Sequence, residues 1–116
     1  DDDTHFRRFE RGQAEMCIKA PLDGESEGWP APSSDVIRYL SDKGIRHVGI
    51  DAPDMGSVDP VQSTLTHWAA STRDMIFTEF LIGLGQLPPE GAFFVFLNPK
   101  IENNHGGPGR AIAILP

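Results

Sequence analysis

The segment AFFVFLN at residues 92–98 constrains the fold more than any other part of this chain. Its length and β-branched and aromatic content predict a buried strand. Successive side chains of a strand point to opposite faces, so Phe93 is set against Phe94, and Phe96 shares the face of Phe94. Both faces are then apolar, and such a strand needs cover on each side. The 116-residue chain reads as one domain, residues 1–116. A domain of that size buries roughly 65% of the surface of its unfolded chain. Hydrophobic residues at 39% and charged residues at 23%, with seven Phe and two Trp, suit a packed core and exclude a disordered tail.

Around that strand the pattern predicts an α/β arrangement. QAEMCIKA at 13–20 reads as a short strand stopped by Pro21, and LDGESEGWPAP as a surface loop. Ser33 and Ser34 supply an N-cap for a helix whose apolar stripe is Val36, Ile37, Tyr39 and Leu40, and Lys43-Gly44 ends it. Ile45–Ile50 follows as a β-branched strand, so helix leads to strand as in an α/β crossover. LTHWAASTRDM predicts a second short helix capped at Ser63 or Thr64. MIFTEFLIGL is apolar throughout and fits strand or helix; Met75–Phe80 is read as strand. Pro88–Gly91 is a turn, ENNHGGPG a loop, and Arg110–Leu115 a closing strand.

The net charge of −7 opposes a nucleic-acid partner, because such binding needs a basic stripe. No apolar run reaches the ~20 residues that span a bilayer, and the N-terminal stretch has no signal-peptide centre, so the chain reads as soluble and cytoplasmic. Cys17 has no second cysteine to pair with and reads as a small buried thiol. The chain opens on three aspartates without Met, the expectation for a fragment or a processed piece.

Neutral imidazole and ionised carboxylate both offer lone pairs to a divalent cation, which singles out His67 and, twelve residues on, Glu79. Glu79 stands among Ile76, Phe77, Phe80, Leu81 and Ile82, where a buried carboxylate needs a metal or a cation; Arg73 is the alternative partner. Asp51 and Asp54 flank Pro53 after a strand and read as turn formers. His47 reads as structural, His105 as a solvated loop residue, and Arg110 as a surface or ion-pair residue. Trp29 and Trp68 read as core aromatics, with lining of an aromatic pocket as the alternative.

The succession GIRHVGIDAP, SVDP, His67 with Glu79, LPPEGAFFVFLNPKI and GPGRAIAIL resembles the C-terminal half of the cyclase family of metal-dependent hydrolases, which includes kynurenine formamidase and isatin hydrolase. The resemblance covers most of residues 11–115 and is most specific over 45–115, while Ala20-Pro21 departs from the family pattern. It implies a swivelling β/β/α fold, present here in part, with a mixed sheet and about two helices. It also implies a zinc or manganese ion that activates water against a small amide, formamide or lactam, with His67 and Glu79 as metal ligands. The family's other ligands and its catalytic histidine lie in an N-terminal signature that Thr4-His5 does not reproduce, so the catalytic group is expected on a missing N-terminal half or a separate chain. Homo-oligomerisation is a further implication. The alternative is a non-catalytic interaction or structural subunit on the same scaffold. Without the N-terminal strands, the chain is expected to leave its core open.

Overall fold

A computed structural model of the chain describes residues 19–116. It divides into two compact units, one ending at Phe80 and the other running Leu81–Pro116. Most of the strand expected at 13–20 lies outside the described residues. At its end, Ala20–Leu22 forms a helical turn, α1, with Pro21 in its first turn. Pro21 starts this turn because its missing N–H is one that a helix start leaves unpaired anyway.

In the first unit α2 spans Ser34–Asp42, and the Ser33 side chain accepts from Val36 N. Gly44 follows with φ +85°, the left-handed conformation that ends helices and that glycine adopts without strain. Of the expected stripe, Ile37 is buried and Leu40 half-buried, whereas Val36 and Tyr39 are exposed. Strand β1 is His47–Gly49 and β2 is Ile76–Thr78; they pair in parallel, His47 against Ile76 and Gly49 against Thr78. Between them lies α3, Pro60–Ser71, so β1, α3 and β2 form a βαβ crossover. Its start is five residues earlier than the sequence reading. Asp59, not Ser63 or Thr64, caps it by accepting from Val61 N at 2.8 Å and Gln62 N at 3.0 Å, and Pro60 opens the first turn.

The core of this unit is Ile37, Ala69, Ala70 and Met75, with Leu40, Val48 and Phe77 packed against it. Small alanines on α3 let α2 approach closely, and buried Thr66 donates to Pro32 O at 3.1 Å. That bond ties α3 to the chain just before α2. Among the described residues no buried side-chain nitrogen or oxygen lacks a partner.

The second unit holds a 3-10 turn at Leu84–Gln86 and the antiparallel pair β3, Phe93–Leu97, and β4, Arg110–Ile114. Both strands stand where the sequence placed them, but β3 is not buried: Phe93 is 67% and Leu97 60% exposed. A two-stranded ribbon satisfies its own ladder and cannot cover its own faces. No described helix is long and apolar enough to cross a membrane.

Candidate metal centre

Parallel strands send their C-terminal ends the same way, and α/β proteins place ligands at that edge. Here Gly49 and Thr78 end β1 and β2 side by side, and the chain continues the pairing beyond them: Ile50 N donates to Thr78 O and Phe80 N to Ala52 O, both at 2.9 Å. The loop after β1 therefore runs alongside the residues after β2. Met55 N donates to Glu79 Oε1 at 2.7 Å, which fixes the carboxylate. Phe80 takes φ +57°, a strained conformation for a bulky residue, in the position that directly follows Glu79.

His67 comes from α3, two turns past its cap. Its Nδ1 lies 2.9 Å from Ser63 O. A carbonyl only accepts, so the proton of the neutral ring sits on Nδ1 and the Nε2 lone pair is left available. Phe77 meets the ring edge-on, with centroids 5.6 Å apart and an interplanar angle of 76°. Nε2 then lies 3.8 Å from Glu79 Oε1 and 3.7 Å from Asp54 Oδ1. These separations are too long for hydrogen bonds. Two donors each ~2.1 Å from one ion lie at most ~4.2 Å apart, and both distances fall inside that limit. Asp54, His67 and Glu79 each offer one donor atom, all within 4.8 Å of one another.

The sequence-derived pair is thus brought together from a helix and the end of a strand. Arg73 is not the partner of Glu79; it donates to Ala69 O and Thr72 Oγ1, both at 3.2 Å, at the end of α3. Asp54 was read only as a turn former. It does form that turn, accepting from Gly56 N, but it also faces His67. Three acidic or imidazole donors, each partly exposed at 31–43%, suit a divalent cation that solvent and substrate can reach. As an ion pair alone, so open a set would contribute little.

A cleft of about 340 Å³ opens beside Asp54, lined also by Trp29, Pro53, Val58 and Phe80. Trp29 donates through Nε1 to Gly56 O at 2.7 Å, so it serves this cleft and not a closed core. Trp68 is exposed. His47 approaches Thr78 Oγ1 at 2.6 Å across the strand pair and is not part of the donor group, and His105 lies on the exposed 102–109 loop.

The chain is 35% identical over 95 residues to an isatin hydrolase of Roseibium aggregatum, an alignment that takes in 75% of this chain and 34% of that protein. It therefore spans about a third of the length of the curated relative it matches. No family model matches the chain. That name is one of those included in the family that the motifs of this chain resemble, and the likeness supports that resemblance.

Proposed function

We propose that this chain forms the C-terminal part of the active site of a metal-dependent hydrolase of the cyclase family, acting on a small amide, formamide or lactam. The observation that carries the reading is the His67 Nε2 lone pair held toward Glu79 by the Nδ1 bond to Ser63 O. A divalent ion, zinc or manganese, supplies Lewis acidity that polarises a carbonyl and acidifies water at neutral pH. His67 contributes a neutral donor, its Nδ1–H hydrogen-bonded to Ser63 O. Glu79 contributes negative charge and is kept from swinging away by Met55 N–H. The open cleft beside Asp54, with its largely apolar lining, gives a substrate a place near the donors.

Catalytic metal sites ordinarily take three protein ligands, and the proton-transferring histidine implied by the family pattern is not matched here. That histidine, and any ligand beyond those this chain carries, are supplied, on this reading, by an N-terminal half or by a separate chain, in a homo-oligomer. The test is metal content and amide hydrolysis of the complete gene product. One zinc or manganese per chain, with hydrolysis lost on chelation and restored by metal, is expected. Absence of stoichiometric metal, with no hydrolysis on supplementation, overturns the enzyme and leaves the non-catalytic subunit.

A further inference from the structure

We propose that Asp54 is a third donor to the ion shared by His67 and Glu79, and that Gly56 is the positioning residue that delivers it. The inference rests on the metal reading above. Asp54 stands on the loop between β1 and α3, so its place depends on how that loop meets the helix. The meeting point is Gly56. A Cβ there would overlap Ser63 Oγ and lie 2.6 Å from Ser63 Cβ and 2.7 Å from Ser63 Cα, and only hydrogen fits. Ser63 is also the residue whose carbonyl holds the His67 ring. The loop thus packs against the part of α3 that aims His67.

Three successive residues make the connection. Asp54 Oδ1 accepts from Gly56 N, fully buried Met55 donates its N–H to Glu79 Oε1, and Gly56 O accepts from Trp29 Nε1. One loop thereby carries one candidate donor, holds a second and abuts the support of the third. The turn bond uses one of about four lone-pair directions on the Asp54 carboxylate, leaving others for a cation.

Asp54→Asn separates donor from turn former. The amide oxygen still accepts from Gly56 N and the side chain keeps its size, but the charge is gone. Calorimetric titration of the metal-stripped complete gene product with Zn²⁺ and Mn²⁺ is expected to show affinity reduced at least ~10-fold, at or above the loss typical of groups that only support a ligand. Far-UV circular dichroism should be unchanged. Gly56→Ala should weaken binding likewise, and its Co²⁺-loaded visible spectrum should match that of Asp54→Asn, since both remove the same donor and leave the remaining ones in place. If Gly56→Ala does not fold, Trp29→Phe, which removes the bond to Gly56 O, serves in its place with the same expectation. Unchanged affinity in Asp54→Asn overturns the donor role. Unchanged affinity and spectrum in the folded loop variant overturn the positioning role. Wild-type protein that takes up no ion overturns the metal reading itself, a result distinct from either.

Discussion

His67 and Glu79 show how much one residue's chemistry depends on backbone groups that no spacing rule contains. Their closeness was legible in the sequence because the resemblance singles out both residue types and their separation. Asp54 was not, because an aspartate beside proline in a turn has a sufficient local explanation, and its approach to His67 appears only when the loop is laid against α3. His47 carries a different, testable property. Burial holds its pKa below the ordinary value of about 6.5, because desolvation disfavours the imidazolium. The unfolded chain therefore binds the proton more readily than the folded one. Stability is fully present above about pH 6.5 and falls as pH drops through that value, the loss being complete below the depressed folded-state pKa. Melting temperatures between pH 7.5 and 5 should decline more steeply in the wild type than in His47→Gln. Equal slopes would show that His47 contributes nothing to the acid sensitivity.

At the scale of elements, α3 links stability to the site, since it contributes both core alanines and His67. Its first turn is anchored by Asp59, whose carboxylate takes two otherwise unpaired N–H groups. Asp59→Ala should cost about 1 kcal/mol, the usual loss for an N-cap, seen as a lowered denaturation midpoint with unchanged slope. A midpoint within error of wild type would mean that neighbouring groups already satisfy the turn. The sequence reading starts this helix after the Asp59-Pro60 pair, with Ser63 or Thr64 as its cap. Yet an acceptor followed by proline at the first helical position is a helix-start signature, and weighing it would have placed the boundary correctly. β1, β2, β3 and β4 were legible from their β-branched and aromatic runs. The burial of β3 was not, because hydrophobic content shows what a strand would bury and is silent on what is present to bury it.

For the whole molecule, the first unit has a small core while the second displays large apolar side chains on one face of a ribbon. Phe93, Leu97, Ile114 and Leu115 are each more than half exposed. Contiguous apolar surface of this kind is uncommon on monomeric proteins and marks a place where something else packs. The alignment takes in 34% of the relative's length, which leaves a longer polypeptide or a second copy as candidates for cover of this ribbon. The isolated 116-residue chain should therefore scatter light as self-associated material, with substitution of Phe93 and Leu97 by serine lowering the apparent mass. The hydroxyls remove the apolar area that drives association while leaving the backbone ladder of β3 with β4 intact. A monodisperse monomer with a cooperative thermal transition would show that the ribbon needs no cover, and would favour an independent module over a part of a larger hydrolase.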